Sequence, residues 1–440
     1  MHGVTSEVSQ RPSRSRGRLD SLVLVLLRRP GTLGGRLGII AVSLICVAAF
    51  VAFPPAHGVA FGPYRVDLDV YRLGGRAWLS GVHLYGPLPP TMSGARLPFS
   101  YPPVAAILLS PLAMVPMALA SAVLTTASAG LLAVVLLACL RSLDQTGEHV
   151  GGWAVWWLLP PALLLEPVRN TLTYGQVNIV LMALVAVDCL APAGRWPRGS
   201  LVGLAAAIKL TPAAFVLFFL LRRDWRAAGM AAASFLAATG VGFALSWHDS
   251  VQYWTRTVFD ASRDGGLPYA ANQSVVGVLT RLGLSHPDLA EVWLLAAIAV
   301  VVAAWRGMRR CFAASQDCLA LSLNGLGALL ISPISWSHQW VWCVPAVIAL
   351  AAVGLRHRAR GVLAATAAGI VIFAIGPQWL LPHGLLPHGH FRELGWSDWQ
   401  QIVGSAYVSF AAIILVVAAV GMSGLLVRAA RAQSPQLAES

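Results

Sequence analysis

Apolar runs of membrane-crossing length follow one another along almost the whole chain, separated by short connections in which arginine recurs. They fall near 37–53, 117–140, 153–168, 174–191, 200–221, 227–246, 289–304, 319–335, 340–355, 361–380 and 404–427. A crossing helix takes about 20 apolar residues, and within lipid only helices and closed barrels satisfy their own peptide groups. Charged residues make up 11% of the 440, where a soluble domain carries about 25%. So little charge cannot cover a water-soluble globule. The expected fold class is therefore an all-α polytopic membrane protein with roughly 10–12 transmembrane helices.

The distribution of charge predicts the orientation. The formal charge is +13, and Lys209 is the sole lysine. No basic face interleaved with aromatics occurs, so nucleic acid is not an expected partner. Membrane proteins instead concentrate arginine on the cytoplasmic side. With the N-terminus inside and each run crossing once except 200–221, the inner connections collect Arg141, Arg195, Arg198, Arg222, Arg223, Arg226, Arg306, Arg309, Arg310, Arg356, Arg358, Arg360, Arg428 and Arg431. That arrangement requires 200–221 to begin and end on one side. Lys209 and Pro212 near its middle fit a broken hairpin. The chain then divides into a basic cytoplasmic tail (1–36), a membrane domain (37–428) and a second cytoplasmic tail (429–440). The outer face, beyond the plasma membrane, receives two long loops, 56–101 and 247–288. Cys46, Cys139, Cys189, Cys311, Cys318 and Cys343 show neither metal-ligand nor disulfide spacing, so no metal is expected.

Polar residues at the outer edge are the candidates for chemistry. Asp67 and Asp69 lie just beyond the first run, where a carboxylate near lipid headgroups suits a general base. The alternative is a loop acid paired with Arg65, Arg72 or Arg76. Tyr101, in Phe99-Ser100-Tyr101-Pro102-Pro103, is either a stacking surface for a sugar or a lead-in to the next helix. Glu166, Gln176 and Asn178 are polar groups at membrane depth, suited to binding a hydroxylated substrate or to bonding helix to helix. Lys209 is either an anchor for a lipid phosphate or a snorkelling side chain. His338, beside Trp336, Trp340 and Trp342, suits donation to a phosphate or leaving group; such tryptophans also form interfacial belts. Asn272 is a further binding candidate in the second long loop.

Several of these blocks together resemble glycosyltransferase family 87. They are Asp67-Leu68-Asp69-Val70-Tyr71 with Gly75-Arg76-Ala77-Trp78-Leu79-Ser80-Gly81, then Phe99-Ser100-Tyr101-Pro102-Pro103, Gly175-Gln176-Val177-Asn178, Lys209-Leu210-Thr211-Pro212 and 332–342. The likeness is greatest to the actinobacterial members that use polyprenyl-phosphate-mannose to form α-1,2 linkages. It implies a GT-C bundle over 37–428 with its active site on the outer face and no cofactor. It also implies a mannosylated glycolipid acceptor, either a phosphatidylinositol mannoside or the mannan of lipomannan and lipoarabinomannan. In that reading Asp67 is the catalytic base and Asp69 the second candidate, while His338, Lys209 and Arg263 hold the donor phosphate. Tyr101, Glu166, Gln176, Asn178, Asn272 and Trp336 contact substrate. The rival expectations are a decaprenyl-phosphate-arabinose-dependent transferase, a lipid-linked sugar flippase and a noncatalytic assembly subunit.

Overall fold

The computed structural model describes residues 32–52, 64–143, 152–192, 196–260, 265–387 and 389–421. Of the expected tails, residues 1–31 of the first (1–36) and all of the second (429–440) lie outside them, as do Arg195, Arg263 and Arg428, whereas residues 33–36 of the first open a helix. Among the described residues the secondary structure is helical, with extended pairing only at isolated bridges. The first half contains α1 (Leu33–Ala52), α2 (Val66–Leu79), α3 (Pro103–Ala113), α4 (Met117–Leu143), α5 (Trp153–Leu164), α6 (Glu166–Tyr174), α7 (Asn178–Leu190) and α8 (Ser200–Ile208). Next come α9 (Val216–Leu221), α10 (Trp225–Leu245), α11 (Trp247–Thr255), α12 (Val275–Arg281) and α13 (Asp288–Ala313). The last are α14 (Asp317–Ile331), α15 (Cys343–Arg356), α16 (Arg360–Ile375), α17 (Asp398–Gly404) and α18 (Ala406–Val420).

Five helices are long and apolar enough to cross a membrane unaided: α1, α4, α10, α13 and the piece Ser337–Arg356 that ends in α15. Only 11% of the apolar windows of α10 and α13 is buried, against 67% for Ser337–Arg356. The outer helices thus turn side chains such as Leu236, Leu245 and Leu295 outward, which water would penalise and lipid does not. The remaining runs are built from shorter apolar helices. The runs 153–168 and 174–191 are not the continuous helices expected from their hydropathy. The first breaks where Leu165 turns extended, and Pro167 sits in the opening turn of α6, where no N–H is needed. The second breaks at Gly175, a left-handed cap (φ +72°).

Contacts divide the bundle into two ends. At one, Arg222 pairs with Asp317 at 2.8 Å, Arg356 donates to the Leu143 carbonyl, Arg310 to the Ala418 carbonyl, and Gly199 N–H to Asp188. The helix ends and turns bearing Arg141, Arg198, Arg222, Arg223, Arg226, Arg306, Arg309, Arg310, Arg356, Arg358 and Arg360 belong to this end. At the other, Gln176 meets Asp67, Asn178 meets the His338 carbonyl, and Glu166 meets Trp379 and Tyr407. Helices α15 and α18 join the two ends: α15 follows the His338 turn and closes on the Leu143 carbonyl, and α18 runs from Tyr407 at Glu166 to Ala418 at Arg310.

The segment 199–222 does not run through. Gly199 packs on the Ala227 carbonyl, and one turn later Gly203 packs on the Ala231 carbonyl, where an added Cβ would lie 2.8 Å from Phe235 N, so α8 and α10 are parallel. Because α10 follows α9 after a three-residue turn, 222–224, both ends of the segment lie at the arginine end. This is the hairpin expected from the charge distribution. Its apex is Lys209, extended at φ −148°, followed by a 3-10 turn over Thr211–Phe215. Gly203→Val should lower the unfolding temperature markedly, since its side chain would overlap backbone; overpacking alone typically costs about 1–3 kcal/mol. Gly240→Val, with nothing within 4 Å, is the control. Equal thermal shifts for the two would refute this packing.

Candidate active site

The stretch 56–101, expected to be a loop, contains the helix α2. Helical geometry then separates the two aspartates. Residues two apart point about 200° from one another, while residues four apart share a face. Asp67 and Tyr71 therefore look into one cavity. Asp69 is buried on the far side, where its carboxylate accepts the Met92 N–H at 2.7 Å. It fastens the chain around 91–95, and the expected second base is not at the site. Nor do the neighbouring arginines turn toward Asp67 in their hydrogen bonding. Arg65 donates to Ser121 Oγ (2.6 Å) and to the Leu172 and Phe50 carbonyls (2.6 and 2.7 Å), tying α1, α4 and α6 together. Burial pulls its guanidinium down to about 10, still cationic at neutral pH. Arg72 donates to the Val115 carbonyl.

Gly175 brings the next residues against α2. A Cβ there would lie 2.8 Å from Leu68 Cβ and 2.9 Å from Arg65 Cβ, so close approach and left-handed backbone both require glycine. The turn delivers Gln176, whose Nε2 donates to Asp67 Oδ2 at 2.7 Å. Its Oε1 accepts from Tyr71 at 2.6 Å and from Tyr101 at 3.2 Å. Burial, with Tyr101 and Asp67 close by, holds the Tyr71 phenol well above its ordinary range, so it is protonated and donates. From the hairpin apex Lys209 reaches 3.3 Å from Asn178 Oδ1 and lies over the Tyr101 ring, 5.3 Å from its centre. Asn178 Nδ2 in turn donates to the His338 carbonyl at 3.0 Å.

These groups enclose a cavity of about 350 Å³ with Asp67, Tyr101, Gln176, Lys209, Trp336 and Gln339 in its wall, within the size range of small-ligand sites. An acid and a lysine face one space lined by hydroxyls and aromatic rings. Such a set can take a proton from an incoming hydroxyl and hold an anionic leaving group. Four expected contacts lie outside the cavity wall. Asn178 lines a smaller space on the other side of Lys209, with Trp342. Glu166 is fully buried and accepts from Asn170 (2.7 Å), Trp379 (2.5 Å) and Tyr407 (2.7 Å), joining α6 to the 377–380 turn and α18. Asn272 accepts the Ser335 N–H at 3.0 Å and donates to Leu267 and Pro333 carbonyls, shaping the turn before Trp336. His338 is buried behind the wall, its ring edge-on to Tyr174 at 5.4 Å. Its carbonyl, not its imidazole, makes the bonds to Thr171 and Asn178. Arg263 is outside the described residues. Tyr71, Arg96 and Gln339 line the cavity without having been singled out by sequence; for Tyr71 the i, i+4 spacing from Asp67 was the available signal. Among the described residues no group of three or more His, Cys, Asp or Glu side chains converges.

A helical bundle embedded in lipid, with an acid-and-lysine cavity at one end, defines a membrane-bound group-transfer enzyme. Residues 99–333 match the model of glycosyltransferase family 87, and the chain belongs to that family. The match includes Gln176 and Lys209; Asp67 and His338 lie beyond its limits. Two similar proteins are called polyprenol-phosphate-mannose-dependent alpha-(1-2)-phosphatidylinositol mannoside mannosyltransferases. That of Mycobacterium tuberculosis is 40% identical over 405 residues, covering 89% of this chain and 93% of its own. That of Mycolicibacterium smegmatis is 41% identical over 374 residues, covering 81% and 83%. A second Mycolicibacterium smegmatis protein, named as the corresponding phosphatidylinositol pentamannoside mannosyltransferase, is 33% identical over 396 residues, covering 82% and 92%. No solved structure matches the chain significantly.

Proposed function

We propose that the protein transfers mannose from polyprenyl-phosphate-mannose to the 2-hydroxyl of a mannose on a phosphatidylinositol mannoside, forming an α-1,2 linkage. The carrying observation is the single cavity that holds Asp67 opposite Lys209. Supporting it are the relatives at 40–41% identity, both named for this donor and for a phosphatidylinositol mannoside acceptor. Those named for the pentamannoside acceptor fall to 32–33%, which favours the simpler acceptor over later glycolipids and the mannan chain.

In this reading Asp67 takes the proton as the acceptor oxygen attacks the anomeric carbon, and the sugar–phosphate bond breaks on the opposite face. A β-linked donor then gives an α-linked product. Phosphate leaves as a stable anion, so one base suffices. Lys209 steadies the charge that develops on it, and fixed charges aimed at such charge stabilise the transition state. His338, from behind the wall, shapes the phosphate end by presenting its carbonyl to Asn178. Arg263 is kept as a donor-phosphate candidate. The arginine-bearing end faces the cytoplasm and the cavity end faces outward, in keeping with the bias of basic residues in short loops.

The test supplies membranes holding the full chain with radiolabelled polyprenyl-phosphate-mannose or decaprenyl-phosphate-arabinose, and with phosphatidylinositol mannosides or mannan as acceptor. Label is expected in the phosphatidylinositol mannoside only, from the mannose donor only, and removable by an α-1,2-mannosidase. Incorporation from the arabinose donor, or into mannan alone, would overturn the assignment.

A further inference from the structure

We propose that Gln176 is the positioning residue for Asp67, and that the Tyr71–Tyr101 pair holds the acceptor end of its amide so that the donor end meets the carboxylate. This rests on Asp67 being the base. A glutamine amide has one acceptor end and one donor end. Here the acceptor end takes the Tyr71 hydroxyl at 2.6 Å and the Tyr101 hydroxyl at 3.2 Å, with the two phenol oxygens 3.0 Å apart. Reversing the amide would set its carbonyl against the carboxylate, acceptor facing acceptor, and would deny both phenols the oxygen to which they donate. The phenols thus hold the acceptor end while Nε2 meets Asp67 Oδ2, at 2.7 Å. A carboxylate bonded in this way has a fixed rotation about its side chain, as proton transfer to a placed oxygen requires.

Tyr101 links this device to the other side of the cavity. Its ring carries Lys209 on its face, and its backbone carbonyl accepts the Tyr85 hydroxyl at 2.7 Å. The base and the cation at the hairpin apex thus share one support. The titratable and charged groups around Asp67 come from several elements. Tyr71 lies on its own helix, Tyr101 and Arg96 on the stretch before α3, Tyr174 at the end of α6, and Lys209 on the hairpin. Among the described residues of the wall no second acid is present.

Gln176→Glu supplies one, at the same volume. Two carboxylates at hydrogen-bond distance share a proton, and the second ionisation moves strongly upward. The acid limb of kcat/KM should therefore rise by at least about one unit, so that activity at a pH on that limb falls about tenfold or more. Activity should recover at alkaline pH as the pair becomes fully ionised. A glutamine that only touched sugar would raise KM and leave the limb in place, and that result would overturn the proposal. Should Gln176→Glu fail to accumulate, Tyr71→Phe with Tyr101→Phe carries the same test through a smaller upward shift, and an unmoved limb sinks it. Loss of the Asp67 reading is separable: turnover surviving in Asp67→Asn refutes the base itself, whatever Gln176→Glu does.

Discussion

Replacing Asp67 by asparagine is expected to lower kcat by about a hundred- to ten-thousand-fold, the range that positioned proton transfer supplies. The substitution keeps size and shape. An asparagine carbonyl oxygen can still accept from Gln176 Nε2, now 2.7 Å from Asp67 Oδ2, so the cavity wall should persist. Donor KM and the unfolding temperature should stay near those of the parent protein. Asp69→Asn is the informative companion. Its carboxylate serves the Met92 N–H outside the cavity, so some stability should be lost while turnover per folded molecule is kept. Radiolabel transfer by purified protein measures both. Near-parental turnover in Asp67→Asn, or a greater loss in Asp69→Asn, would reverse the assignment of the two aspartates.

Lys209→Met should show the next largest loss. Methionine retains the length and apolar stem of lysine but removes the charge that stands between Asn178 Oδ1 and the Tyr101 ring. Removing one group aimed at developing negative charge typically costs about 10²–10³ in rate. The fall should appear in kcat/KM for the lipid donor, and inhibition by the released polyprenyl phosphate should weaken with it. Lys209→Arg should recover part of the loss, because the charge returns with altered reach. A Lys209→Met protein that unfolded early yet turned over within threefold of the parent would mark the lysine as a structural strut.

Much of this arrangement was legible in the amino-acid order, for a physical reason. Lipid forces long apolar runs to declare themselves, and arginine in short connections reports which ends lie together. Even the doubled-back segment could be inferred, since the arginines at 195–198 and those at 222–226 agree in side only if it returns. What hydropathy did not show was α2. Val66–Leu79 mixes polar and apolar residues in a stretch too hydrophilic to stand out, and so Asp67 and Asp69 looked like a pair. Glu166 and Asn272 were misplaced for another reason. A polar side chain buried at membrane depth must find partners, but its identity does not say whether those partners are substrate or protein. Glu166 finds Trp379 and Tyr407, more than two hundred residues away in sequence. Arg96, exposed on an irregular stretch, carried no periodic signal at all.

The segment 199–222 has a consequence for the whole molecule. Were it straightened into a full passage, every later helix would enter from the opposite direction. Trp336 and Gln339 would then emerge at the far pole from Asp67, and no single chamber could contain all three. One missing traverse is what allows the front and back halves of the polypeptide to close on each other around a shared reactant.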